Sequence, residues 1–156
     1  MTEISRPAQQ NDGTPPSMAA ITAEAFSELL AKVPLAVHMQ IRVDHIRKGA
    51  IRLLMPYGPH LTRPVDTISG PAMMTLADVA LWGAVLSMAG PREMVVTTNL
   101  NMNFLRMAGN SDMIAEARVL KMGRRLAVAA VELISSANDE LVAHATASYA
   151  IPGERA

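Results

Sequence analysis

One carboxylate in this chain sits where a carboxylate is expensive. Asp78 is the sole charged residue in the apolar run ISGPAMMTLADVALWGAVLSMAG, residues 68–90. Taking an ion out of water costs several kcal/mol unless the ion is paired, so Asp78 needs a physical reason. Two readings compete. One is a structural Asp, satisfied by its neighbours and doing no chemistry. The other is a carboxylate in a catalytic site, since such sites are where buried ionisable groups gather. Other chemistries find little support. The four histidines, His38, His45, His60 and His144, lack any metal-ligand spacing, although His60 stays an outside candidate because it stands just before Arg63. There is no Gly-x-Ser-x-Gly elbow and no Gly-rich phosphate loop. Cysteine is absent, which excludes both a disulfide framework and a thiolate metal centre.

A helix must carry Asp78. Pro at the first helical position is tolerated because its missing N–H would have no intrahelical partner. Ser69 or Gly70 can cap the helix, and Gly90-Pro91 is a stop signal. The spacing therefore predicts a helix over residues 71–88. Its sides are apolar all round, which marks a helix buried on every face. By length the segment nearly suits a membrane span, but a mid-span Asp is costly there and no Lys/Arg cluster flanks it, so a core helix is expected.

The rest of the chain supplies the packing partners. Residues 1–20 read as a flexible tail and residues 21–156 as a single domain. Thr22 is placed to cap AEAFSELLAKV, and Pro34 to end that helix. Val37, Met39, Ile41 and Val43 alternate with polar residues, as a half-buried strand does. Lys48-Gly49 makes a turn, and Ile51, Leu53 and Met55 continue as a second strand. A polar loop over residues 60–68 leads into the central helix.

Beyond Gly90-Pro91 the expected faces of the next strand are Val96, Thr98, Leu100, Met102 and Phe104 against Thr97, Asn99, Asn101 and Asn103. Strands over residues 113–122, 126–134 and 141–151 follow, joined at Gly123-Arg124 and Asn138-Asp139. Short turns make antiparallel neighbours. The fold class is α+β, an antiparallel sheet of five to six strands wrapped around one long central helix. One sheet face cannot cover a helix that is apolar all round, so a second copy of the chain is the simplest cover, giving a homodimer.

At 156 residues, 50% of them hydrophobic, the chain suits one domain with an ample core. Aromatics make up only 3% while methionines number 12, so aliphatic and pliable side chains must fill it. Net charge is zero and no Lys/Arg run occurs, which argues against a nucleic-acid partner. No basic segment precedes an apolar one near the start, so a cytoplasmic, soluble protein is expected.

Three stretches together carry a resemblance: SGPAMMTLAD (69–78), TTNLNMNFLRMA (97–108) and VLKMGRRLAVAAVEL (119–133). They are similar to the hotdog-fold acyl-CoA thioesterases, in particular the phenylacetate-pathway (PaaI-like) branch. That pattern has an Asn-containing loop, His-Gly-Gly opening the helix, Leu-x-Asp on it, T-x-x-L-x-x-x-F-L-R-P-A on the next strand, and Gly-Arg at a later hairpin. The resemblance implies that Asp78 activates water or attacks the thioester directly. It implies that the Gly70 N–H polarises the thioester carbonyl, a site where hydrogen bond and helix dipole add. Thr97 falls near a hydroxyl that holds the attacking water, and simple alternation puts it on the Asn-rich face, so a bulge is needed to aim it.

This chain departs from the pattern in three places. Ser69 stands for the His, Pro71 for the second Gly and Arg63 for the loop Asn. The expected substrate-binding set is Arg63, Ser69, Met74, Trp82, Arg106 and Arg124, the last two toward the phosphates of coenzyme A. No separate cofactor is expected, since coenzyme A enters with the substrate. The resemblance also implies a dimer or a dimer of dimers, with each site shared between protomers. The alternative is a non-catalytic acyl-CoA binding or sensing protein on the same fold. A hotdog hydratase is weaker, because it needs a His with an acidic partner.

Overall fold

The computed structural model describes residues 18–92 and 94–153; the expected tail lies almost wholly outside them. Helix α1 (Ala23–Leu30) starts at Thr22, whose hydroxyl accepts the Ala25 N–H, as its position before the apolar run requires. Pro34 does not merely end a helix: it opens a second short one, α2 (Pro34–His38). The stretch from Val37 to Ile41 is thus the end of this short helix and the turn that follows it, and strand β1 begins only at Arg42 (Arg42–Arg47). Proline pre-sets the first helical φ, and that local preference overrides the start of the period-two pattern from Val37 to Val43. Val37 faces solvent while Met39 and Ile41 are buried, and Gln40, at φ 53°, breaks the helix between them.

Strand β2 (Ala50–Met55) follows the turn at Gly49. After a 3-10 turn at Pro59–Leu61, the predicted loop contains a two-residue hairpin of β3 (Thr62–Arg63) and β4 (Thr67–Ile68). Helix α3 (Gly70–Ala89) comes next, with Ser69 as its N-cap and Gly90 beyond its end. Four strands close the chain: β5 (Val96–Phe104), β6 (Met113–Met122), β7 (Leu126–Ser135) and β8 (Leu141–Ala150). They join β1 and β2 in one antiparallel sheet of order β1-β2-β6-β7-β8-β5. This is the hotdog architecture, with α3 lying in the curl of a six-stranded sheet.

The core forms where α3 meets the sheet. Leu76, Leu81, Val85 and Leu86 pack against Leu53, Met55, Met113, Val131 and Leu133, all of them fully buried. By length and hydropathy α3 would pass as a membrane span, but 67% of that span is buried inside the protein. Gly83 permits the closest approach: a Cβ there would meet Ile51 Cδ1 at 2.7 Å and Phe26 Cζ at 2.8 Å. Phe26 thereby locks α1 onto α3, its ring centroid 5.3 Å from that of Trp82. At the far end, the buried Ser87 hydroxyl accepts the Gly49 N–H at 2.7 Å and donates to the Ala84 carbonyl, tying the β1–β2 turn to the helix.

Burial is not complete round α3. Pro71 and Met74 are exposed, and Asp78 and Trp82 are half-buried, so one stripe of the helix is left uncovered by its own chain. Asp78 therefore sits at the margin of the core and not in its middle.

Phe26→Ala should lower stability by about 3–5 kcal/mol, the usual cost of emptying a closed aromatic site. Denaturant melts read from the fluorescence of Trp82, the sole tryptophan, will report it directly.

Candidate active site

Asp78 is held by two hydroxyls from neighbouring strands. Thr97 Oγ1 donates to Asp78 Oδ1 at 2.8 Å, and Tyr149 OH contacts the same oxygen at 2.7 Å. The Tyr149 hydroxyl also lies 2.9 Å from the main-chain carbonyl of Asp78. Hydrogen bonds to a charged acceptor contribute about 1.5–3 kcal/mol each, so the carboxylate has compensation without a counter-ion. Among the described residues Asp78 has no salt-bridge partner, and Oδ2 accepts no hydrogen bond.

A bulge aims Thr97. The β5–β8 register shifts between Thr97 and Asn99, so Thr97 pairs with Tyr149 and both side chains turn toward α3. Thr98 takes the extra place and donates to the Ser148 carbonyl at 3.0 Å. Beyond the bulge the phase is ordinary, with Leu100 and Met102 packed on the core and Asn99, Asn101 and Asn103 exposed. An inserted residue flips the faces that follow it, which is why strict alternation misplaces Thr97.

Tyr149 is the residue that the sequence reading missed. It is 1% exposed, and the inward positions before it on β8 are Ala143, Ala145 and Ala147. The signal was there: a phenol at an inward phase must find a polar partner. Burial, followed by the Asp78 charge, pushes its ionisation far above the ordinary tyrosine range. The group is a neutral donor at any working pH.

A second feature lies at the other end of α3. Ser69 Oγ accepts the Ala72 N–H at 3.4 Å, so the residue standing in the His position serves as the N-cap. The Gly70 N–H has no acceptor among the described residues, as expected for an orphan donor of the first turn. It borders a cavity of about 960 Å³ lined by Ile68, Met73, Phe104 and Met107, with Arg63 and Arg106 at its polar edge. Among the described residues, no carboxylate lines this cavity. Arg106 donates to the Leu141 carbonyl at 2.9 Å, while Arg63 is exposed and makes no ion pair among the described residues. A Cβ on Gly70 would make only ordinary contact with Phe104, at 3.5 Å. Packing within the chain does not demand glycine there.

The expected site residues thus fall into three groups. Asp78, Thr97, Met74 and Trp82 lie along the open stripe of α3 and the start of β5. Arg63, Ser69, Gly70 and Arg106 surround the cavity, which takes Met73 where Met74 was expected. Arg124 lies apart, in a groove with Arg92 and Arg125. Eight residues of helix separate Gly70 from Asp78, roughly 12 Å of axis. A single chain does not bring the two to one reacting carbonyl.

Comparison with known proteins agrees with this architecture. A solved candidate thioesterase from Silicibacter sp. TM1040 is 34% identical and superposes with a TM-score of 0.77, covering 88% of this chain and 96% of that one. A candidate esterase of Thermoplasma acidophilum is 27% identical over 128 residues, 82% of this chain and 96% of its own length. A variant of the phenylacetic acid degradation protein PaaI from Thermus thermophilus, 24% identical, shares the fold with a TM-score of 0.69, over 76% of this chain and 99% of that one. The family model described as the thioesterase superfamily matches residues 66–148, more than half of the chain. This chain therefore belongs to the thioesterase superfamily, a membership that supports hydrolysis of a small-molecule thioester.

Proposed function

We propose that the protein hydrolyses acyl-CoA thioesters, in the manner of the PaaI-like branch, as a cytoplasmic homodimer with no resident cofactor. The observation that carries this reading is the asymmetry of Asp78: one oxygen tied by two hydroxyls, the other without a hydrogen bond among the described residues, on an open stripe of helix. In the reaction, Oδ2 takes a proton from water, and the resulting hydroxide adds to the thioester carbonyl. The Gly70 N–H, at the positive end of α3, bonds the oxyanion of the tetrahedral intermediate. Collapse breaks the C–S bond, and the departing thiolate recovers the proton, leaving free acid and coenzyme A. The apolar cavity beside Gly70 suits an acyl or pantetheine chain. Arg106 and Arg124 suit phosphate, which guanidinium binds well.

A second copy completes the site. Gly70 and Asp78 are too far apart in one chain, and the two edges of the sheet differ in a telling way. Edge β1, RVDHIR, is charged and bulged, which protects a strand from pairing. Edge β5, VTTNLNMNF, is nine residues long and carries no charge. Val96 and Phe104 at its two ends are each 50% exposed. Two β5 edges paired antiparallel about a two-fold axis would bring the Gly70 end of one chain toward the Asp78 end of the other. The same pairing would cover the open stripe of α3, and further association into a dimer of dimers belongs to this reading.

The substitutions Ser69 and Arg63 favour a second reading, an acyl-CoA binding protein without turnover. Thiol release from a panel of acyl-CoAs decides between them. The parent should release coenzyme A, and Asp78→Asn should abolish release while its melting temperature and dimer mass stay nearly unchanged. Equal rates in parent and variant would falsify the mechanism; calorimetric binding with no release in either would favour the second reading. Adding like charges to the edge, Asn99→Lys with Asn101→Lys, should shift the sedimentation profile from dimer to monomer and remove activity with it.

A further inference from the structure

We propose that Tyr149 is a positioning residue: its hydroxyl clamps the Asp78 side chain against the Asp78 main chain and, with Thr97, reserves Oδ2 as the reacting oxygen. The inference rests on Asp78 being the reacting carboxylate and adds what directs it. The geometry is specific. Tyr149 OH meets Oδ1 at 2.7 Å and the carbonyl oxygen of the same residue at 2.9 Å, so one hydroxyl bridges side chain and backbone. A carboxylate that could otherwise turn about its χ angles is held in one orientation. The single phenolic hydrogen is shared in a three-centre bond, its shorter branch to the carboxylate, the stronger acceptor, and its longer branch to the carbonyl. Thr97 supplies the second hydrogen to that same oxygen at 2.8 Å.

The two donors differ in rigidity. Thr97 is exposed on a sheet edge, next to a bulge. Tyr149 sits on β8 between β7 and β5, fully enclosed. Alanines at the inward positions of β8 leave the ring its space, and Ala127 faces it across β7. Its hydroxyl is therefore the fixed point and Thr97 the adjustable one. Because burial and the nearby Asp78 charge keep the phenol protonated, it donates at every pH at which the enzyme would work. Nothing in this arrangement asks Tyr149 to touch substrate. It acts through Asp78.

Tyr149→Phe keeps the ring and removes only the oxygen. With an acyl-CoA that the parent cleaves, kcat should fall about ten- to a hundredfold, the range that loss of a hydrogen bond to a charged group implies. KM should change less than about threefold, because substrate contacts are untouched. Melting temperature should fall by several degrees with the lost bond while the variant stays fully folded at the assay temperature, and calorimetric affinity for coenzyme A should stay close to the parent's. A variant that turns over as fast as the parent overturns the proposal. So does a fall in kcat matched by loss of folded protein, or one carried entirely by KM. A parent that releases no thiol from any acyl-CoA is a separate outcome: it removes the reading of Asp78 on which this one stands.

Discussion

The structure depends on how a carboxylate is kept at the margin of an apolar core with no cation paired to it among the described residues. Asp78 is satisfied by two neutral hydroxyls delivered to one oxygen, from Thr97 on β5 and Tyr149 on β8. An arginine in that place would neutralise the charge but occupy both oxygens, since guanidinium pairs carboxylates through two parallel bonds. Hydroxyls from one side leave half the carboxylate available. The solution needs a strand bulge to turn Thr97 inward and a row of alanines to admit a tyrosine ring. The local irregularities of β5 and β8 thus have a common purpose in holding one side chain.

The same economy runs through the rest of the fold. Helix α3 is apolar enough to need cover on nearly all sides, and its sheet covers all but the stripe of Pro71, Met74, Asp78 and Trp82. That stripe runs beside the one sheet edge that carries no charge. The opposite edge is defended by Arg42, Asp44, His45 and Arg47, with Arg52 joining Asp44 at 3.2 Å. An unprotected edge is a hazard unless something pairs with it. The cavity beside Gly70 lies at the N-terminal end of the helix, where the stripe begins and where orphan N–H groups and two guanidiniums make its surroundings positive without any carboxylate among the described residues.

Much of this could be read from residue order because it rests on local rules. Ser69-Gly70-Pro71 and Gly90-Pro91 bound the central helix, and glycine or Asn-Asp turns mark the β1–β2, β6–β7 and β7–β8 hairpins, whereas the β2–β6 and β5–β8 pairings span long connections that no turn signals. Alternation puts Thr97 on the Asn-rich face, and only the role that the resemblance implies for its hydroxyl asks for a bulge there. Pro34 misleads because proline both ends one helix and begins another, and only tertiary packing of Met39 and Ile41 decides between them. Helix α3 looks buried all round because hydropathy cannot tell a face covered by its own sheet from one left open. Tyr149 escapes notice because its partner is 71 residues away, a distance no periodicity crosses. Arg63 cannot be placed from sequence either; in the fold it borders the cavity and stays clear of Asp78.

The central claim is that one site needs Asp78 from one protomer and Gly70 from its partner. Subunit exchange between two inactive proteins tests it most directly. Asp78→Asn lacks the base, and Gly70→Val should block the approach to the oxyanion donor. When the two are unfolded and refolded together, random pairing makes half the dimers mixed, each with one of its two sites intact. Thiol release should then recover to about a quarter of the parent rate, although neither variant alone is active. A mixture that stays as inactive as its components, with mixed dimers confirmed by mass, would contradict the account.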